Sequence, residues 1–386
     1  MNKIKNSSMF LLWAGAAISI AEIYTGGIIA PLGLAKGITA MLLGHIIGTG
    51  LLAFGGYISF TDKKNAMDKV KDSFGEKGVK LVAGLNVLQL LGWSAIMIIQ
   101  AGRALNGLIP GIHSSGIIIT AIIVFFWSWY FNNYSKRVND ISVLLLIVFS
   151  CILFFNFQSG SNLLNSGTIS FTTALEISIS MPVSWLPLIG DYTKNGESCK
   201  GVLFSSFAGY FLASSMMYIL GLLIMFYTGM DVIEFLSNNS FKVLGILIIL
   251  FSTVTTTFLD IYSAVVSSKQ IFRFENETLL ILIYTVLATA IAYVFPIEAY
   301  QNFLLTIGSV FIPVYTIVFT DYLIKAQNEG TGFNFGGLLL ALCGTILYSW
   351  LSKISFGTPT IIVLLVISIS YVMLKKIFNF GGIVNE

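Results

Sequence analysis

Long apolar runs parted by short polar breaks account for nearly the whole chain. They fall at 9–34, 37–60, 79–108, 115–134, 138–158, 172–193, 201–228, 240–270, 277–295, 298–325, 333–351 and 357–378. A helix of about twenty apolar residues crosses the roughly 30 Å of bilayer hydrocarbon. The pattern therefore predicts an all-α integral membrane protein with twelve transmembrane helices. The longest polar interval, 61–77, is too short for a soluble domain, so residues 1–386 are expected to form one membrane domain. The first run has a short basic flank but continues too long, without a small-residue cleavage pattern. It reads as a span and not as a removable leader.

Polar residues inside these runs carry the functional information. The first run holds Glu22, Thr25, Gly26, Gly27 and Pro31. Glycine pairs loosen a helix, and a charged side chain at the bilayer centre costs about 2.5–3.5 kcal/mol on insertion scales. Glu22 is thus expected to face the bundle interior, either at a site or as a brace between helices. The sixth run, ISISMPVSWLPLIGDYTK at 177–194, holds Pro182 and Pro187 with Ser184 and Trp185 between them. Each proline removes a backbone donor and disturbs the preceding turn. In lipid, the freed backbone groups must find partners or line a watery cavity. A broken helix carrying Ser, Trp and Asp191 is a candidate site for a small molecule, or a kink that aids packing. The two interruptions, at Gly26 and Ser184, lie 158 residues apart. Spans one to five and six to ten would then be two halves. Five spans is an odd number, so the second half must be inverted in the membrane. The expected organisation is a first repeat at 9–158, a second at 172–325 and two additional helices at 333–378.

Two further spans show polar stripes. In the third, Asn86, Gln89, Trp93, Gln100 and Arg103 fall within about 100° of helical arc. Trp93 offers an aromatic face to a flat ligand with Gln89 one turn away, unless the amides only join helices. Arg103 lies near a helix end, where long cations snorkel. In the eighth, Ser252, Thr255, Thr256, Asp260, Ser263 and Ser267 make one hydroxyl-rich wall with one carboxylate. Hard cations prefer oxygen ligands, although Ser and Thr also bond back to their own helix. The tenth span can flex or kink at Gly308 and Pro313. His45 is placed to pack or to relay a proton, and His113 is unassigned.

Composition narrows the class. Hydrophobic residues make up 56% of the chain, charged residues 10%, and the mean hydropathy is +0.87, which excludes an ordinary soluble domain. With an internal N-terminus, 17 of the 21 Lys and Arg fall on one side. That bias predicts cytoplasmic termini and accounts for the net charge of +3 as a topology signal, with no nucleic-acid partner implied. Cys151, Cys199 and Cys343 are scattered and suggest neither disulfides nor a metal site. No HExxH motif and no paired catalytic carboxylates occur, so an enzyme is not expected.

The chain resembles nucleobase:cation symporter family 1, and within it the short bacterial hydroxymethylpyrimidine-transporter (CytX) branch. The resemblance rests on SIAEIYTGGIIAPLGL at 19–34, GHIIGTGLL at 44–52, LQLLGW at 88–93 and MPVSWLPLIGDYTK at 181–194. It continues in STVTTTFLDIYSA at 252–264 and NFLLTIGSVFIPVYTIVFTDYL at 302–323. It implies a leucine-transporter-like fold of two inverted five-helix repeats plus two C-terminal helices. It also implies a ring stacked between Trp93 and Trp185, with Tyr24 as the alternative second ring. Glu22, Gln89, Ser184 and Asp260 would hold the ring edges. Sodium would sit between the carbonyls of Ile20, Ile23 and Ser252 and the hydroxyls of Thr255 and Thr256. Many members carry Asn where this chain has Asp260, and a carboxylate suits an aminopyrimidine because it accepts from the exocyclic amine. The expected function is sodium-coupled import of hydroxymethylpyrimidine, a thiamine precursor, by alternating access across a bacterial-type cell membrane. The expected partners are the pyrimidine, a monovalent cation and the lipid bilayer, with no cofactor. The alternatives are cytosine, another nucleobase or thiamine as substrate, and coupling to a proton through Glu22, Asp260 or His45.

Overall fold

With no water at membrane depth to satisfy the backbone, apolar runs of this length close their hydrogen bonds internally as helices. A computed structural model describes residues 3–130, 136–155, 169–237, 242–273, 275–326 and 332–378. In chain order its helices are α1 (Asn6–Ala17), α2 (Ile20–Ile28), α3 (Leu34–Asp62), α4 (Ala66–Leu108), α5 (His113–Tyr130), α6 (Lys136–Phe155), α7 (Phe171–Val183) and α8 (Leu186–Thr193). They continue as α9 (Cys199–Thr228), α10 (Val232–Ser237), α11 (Lys242–Ser268), α12 (Glu277–Val294), α13 (Tyr300–Leu323), α14 (Phe335–Lys353) and α15 (Pro359–Phe378). The ends of three expected runs, at 131–134, 156–158 and 240–241, lie outside the described residues. Among the described residues, ten spans are long and apolar enough to cross a membrane, and the bent α1–α2 pair makes an eleventh. The count of twelve rests on α6, whose apolar segment Val143–Ile152 is shorter than a membrane span.

The first interruption differs in position from the sequence expectation. The chain bends by 53° between α1 and α2, and the break falls at Ile18 and Ser19, ahead of the glycines. Ser19 is extended, and its Oγ accepts from Glu22 N, capping α2. Gly26 and Gly27 stay helical and serve close packing instead. A Cβ at Gly26 would collide with the Tyr218 backbone, and one at Gly221 with the Ile23 carbonyl, so α2 and α9 pack backbone to backbone. The second interruption is milder than expected. Pro182 lies within α7 and Pro187 opens α8, while Ser184 and Trp185 keep right-handed dihedrals. The chain runs from Phe171 to Thr193 as one span of 23 residues. The polar interval after α3 adds turns to the start of α4, and Gly75, at φ 80°, kinks that helix before the apolar part.

Burial separates an inner set of helices from an outer one. The apolar windows of α4 and of α7–α8 are 83% and 94% buried, against 33% for α5 and α12 and 28% for α14 and α15. The inner helices therefore line the centre, and the outer ones present Leu, Ile and Phe outward as a lipid-facing surface. The C-terminal pair is fastened by buried Glu176 of α7, which accepts from Tyr348 OH at 2.8 Å, Thr360 Oγ1 at 2.6 Å and Thr360 N at 3.1 Å. At the lysine-rich end, Lys69 pairs with Asp62 at 2.5 Å and Asp72 at 3.0 Å, and buried Lys375 pairs with Asp321 at 2.6 Å.

Candidate substrate-binding site

The α1–α2 bend, the α7–α8 junction, α4 and α11 meet around an enclosed cavity. Glu22, Trp93, Trp185, Thr256 and Asp260 line it, together with Ala16, Ser19, Met97 and Met181. Its open space is about 20 Å³, room for about one water. The site is therefore shut around its own side chains, and a ring-sized ligand needs the helices to part. The two indoles are held from behind. Trp93 meets Tyr300 edge-on at 5.9 Å and Phe303 at 5.5 Å, and Trp185 meets Trp13 at 6.2 Å. Such edge-to-face packing fixes ring orientation.

Several groups at this site have unused hydrogen-bonding capacity. Asp260 makes no hydrogen bond to a described residue although it is only 3% exposed. Trp93 Nε1, Thr256 Oγ1 and Gln89 Oε1 are buried and unpartnered within the described structure. Buried polar atoms are ordinarily satisfied, so a carboxylate, an indole N–H and a hydroxyl left open around one cavity mark a binding site. A carboxylate accepts and an indole donates, which suits a planar ligand with both donor and acceptor edges.

Other expected site residues have different surroundings. Gln89 Nε2 donates to Ser184 O at 2.9 Å and to Asn86 Oδ1 at 2.9 Å, so it ties α4 to the α7–α8 junction. Ser184 Oγ donates to Met181 O at 2.6 Å. Tyr24 is half-buried against Tyr300 at 5.5 Å and does not line the cavity, which leaves Trp185 as the second ring there. The expected sodium ligands differ in what their oxygens already bond. Ile20 and Ile23 lie inside α2, because the break precedes them, so their carbonyls belong to the helical ladder. Thr255 Oγ1 donates to Phe251 O at 3.0 Å and Ser252 O at 3.1 Å, the back-bonding that competes with ligation. Of the five, Thr256 alone keeps an open side-chain oxygen.

Glu22 has partners that the sequence reading did not assign. Tyr210 OH donates to its Oε1 at 2.6 Å, and Ser214 Oγ lies 2.8 Å from its Oε2. Ser214 Oγ is also 2.5 Å from His45 Nε2. The sequence carries a signal for this, since Tyr210, Ser214 and Tyr218 recur at four-residue spacing on one face of α9. Trp13, which supports Trp185, left no comparable trace in an evenly apolar segment.

The cavity is closed toward both ends. On one side Asn86 Nδ2 donates to Ser267 Oγ at 2.8 Å, and Ser263 Oγ donates to Asp191 Oδ2 at 3.0 Å. On the other, Arg103 pairs with Asp231 at 2.6 Å, joining α4 to the segment that opens α10. A sealed central site at a helix bend, with bonded closures above and below, defines a multi-pass membrane carrier of a small planar molecule. The chain belongs to the family of permeases for cytosine/purines, uracil, thiamine and allantoin, whose pattern matches residues 2–332. It is thus a permease of nucleobase-type compounds and not an enzyme. No curated protein sequence matches it. Among solved structures it is similar to Mhp1, a nucleobase-cation-symport-1 family transporter, in a closed conformation with bromovinylhydantoin bound. That match has a TM-score of 0.81 at 17% identity and covers 100% of this chain and 95% of that one. The inward-facing conformation of Mhp1 gives 0.78 at 17%, covering 100% and 93%. A Na+-coupled sialic acid symporter in an outward-open state gives 0.70 at 11%, covering 99% and 92%. At these identities the likeness establishes a shared fold.

Proposed function

We propose that the chain imports a small pyrimidine, hydroxymethylpyrimidine first among them, coupled to a monovalent cation by alternating access. The observation that carries this reading is the open carboxylate of Asp260 facing a cavity flanked by Trp93 and Trp185. A flat ring would lie between the indoles, and its exocyclic amine would donate to Asp260, a charge-assisted bond about twice as strong as a neutral one. Trp93 Nε1 and Thr256 Oγ1 would meet ring acceptors. The lysine-rich end and both termini would face the cytoplasm. Residues 9–158 and 172–325 would act as inverted repeats rocking about the site, with 333–378 appended. The inward membrane potential would add about 2.3 kcal/mol per positive charge for each 100 mV.

Calorimetry on the purified protein tests the reading, with hydroxymethylpyrimidine, cytosine, uracil, thiamine and allantoin each titrated with and without sodium. Hydroxymethylpyrimidine should bind, and Asp260→Asn should weaken it more than it weakens any competitor lacking an exocyclic amine. If only thiamine or allantoin binds, the aminopyrimidine assignment falls. Sodium dependence lost in Thr256→Ala would support sodium as the coupling ion, and binding indifferent to sodium would remove it.

A further inference from the structure

Behind the cavity, Glu22 of α2, Ser214 of α9 and His45 of α3 are joined by hydrogen bonds that proton counting constrains. His45 Nδ1 lies 2.9 Å from Met41 O, and its Nε2 lies 2.5 Å from Ser214 Oγ. Ser214 Oγ is 2.8 Å from Glu22 Oε2, and Tyr210 OH donates to Oε1. All three residues are buried. A carbonyl oxygen only accepts, so Nδ1 carries a hydrogen, and the serine has one hydroxyl hydrogen to give. If Ser214 donates to Glu22, its oxygen must accept from Nε2–H, and His45 is an imidazolium beside a carboxylate. If Ser214 donates to Nε2, its oxygen must accept from Glu22, which is then a carboxylic acid beside a neutral imidazole. Both arrangements hold the same number of protons. Removing one leaves two acceptors sharing a single hydroxyl hydrogen. Adding one leaves Ser214 between two donors with its own hydrogen unplaced. Either defect buries an unsatisfied polar group.

We propose that Glu22, Ser214 and His45 form a binding site for one proton, and that this proton moves from Glu22 to His45 when substrate arrives at Glu22. The second half rests on the transporter reading above. Glu22 faces the cavity on one side and Ser214 on the other. A ring N–H or amine arriving at Glu22 favours the carboxylate. The Glu22 O–H bond then breaks, Ser214 takes that proton and passes its own to His45 Nε2, and the total is conserved. Departure of the substrate reverses the transfer. The other titratable groups facing this set are Tyr210 and Tyr218 of α9, Tyr300 of α13, and Asp260 of α11 across the cavity. Tyr218 also meets the His45 ring edge-on at 4.6 Å. The tyrosines keep their protons at neutral pH, and α1, α4 and α7 present no titratable side chain to the cavity.

The proton site is tested without any substrate, on the purified full-length chain. The protein has two histidines, so with His113→Gln the ring signals of isotope-labelled histidine report His45 alone. Infrared difference against Glu22→Gln identifies the Glu22 carboxyl band. At neutral pH one proton should be found across the pair: an acid beside a neutral imidazole protonated at Nδ1, or a carboxylate beside an imidazolium. Both groups protonated, or neither, overturns the site. The substrate-linked shift is tested by adding hydroxymethylpyrimidine, or whichever of cytosine, uracil, thiamine and allantoin binds, to the same samples. The Glu22 acid band should fall as the His45 imidazolium signals rise, and Ser214→Ala should abolish the paired change. Bound ligand that leaves both signals where they were, or that shifts them equally in Ser214→Ala, overturns the shift.

Discussion

Asp260 and Glu22 are both buried carboxylates at one cavity, yet their surroundings give them different work. Each Glu22 oxygen already has a partner, in Tyr210 or Ser214, whereas Asp260 is left open. Asp260 is therefore the residue whose replacement should register as lost ligand contact. A hydrogen bond to a charged group contributes about 1.5–3 kcal/mol. Asp260→Asn should weaken aminopyrimidine binding by roughly tenfold to a hundredfold, with little change in melting temperature because the side chain holds no partner within the described structure. Calorimetry beside thermal unfolding separates the two effects. Unchanged affinity would mean that the indoles alone hold the ring.

At the scale of elements, the crossing of α2 and α9 sets how tightly the bend is held. Gly221 abuts the Ile23 carbonyl, whereas Gly50 and Gly84 have open space around their Cβ positions. Gly221→Ala should destabilise the protein by about 1–3 kcal/mol, the usual cost of overpacking, while Gly50→Ala and Gly84→Ala should be silent in the same unfolding assay. The Arg103–Asp231 pair bridges α4 and the start of α10, and each partner is only partly buried. Its stability contribution should be small, so its expected effect is on closure. With a reporter cysteine at the cavity in Met97→Cys, the added substitution Arg103→Gln should speed labelling by an impermeant thiol reagent. An unchanged rate would assign the pair to anchoring α10 only.

Across the whole molecule, buried polar links join the outer helices to the moving centre. Glu176 ties α7 to α14 and α15, and Lys375 of α15 pairs with Asp321 of α13. Removing one partner of a buried pair strands the other charge at about 3–5 kcal/mol. Lys375→Ala should therefore destabilise strongly, and the double change Lys375→Met with Asp321→Asn should recover much of the loss. A double variant no more stable than Lys375→Ala would show that the other bonds around Asp321 matter more than the pair.

The apolar runs by themselves determined the all-helical membrane class, because hydrocarbon leaves a long apolar segment no alternative to helix, and the motifs within them carried the resemblance to the family. They also marked Trp93, Trp185, Glu22 and Asp260, since polar and aromatic groups inside such runs are costly enough to need a purpose. Three matters were decided only by tertiary structure. The first bend fell at Ile18 and Ser19, where the Ser19 side chain caps α2, while the glycines pack against α9. The Thr255 hydroxyl bonded back to its own helix while the Thr256 hydroxyl was left open, because packing against neighbouring helices decides which of two adjacent hydroxyls finds a partner. Glu22 acquired Ser214 and His45, which lie 192 and 23 residues away in sequence. No local periodicity encodes a contact between helices, and only packing brings those three side chains within reach of one proton.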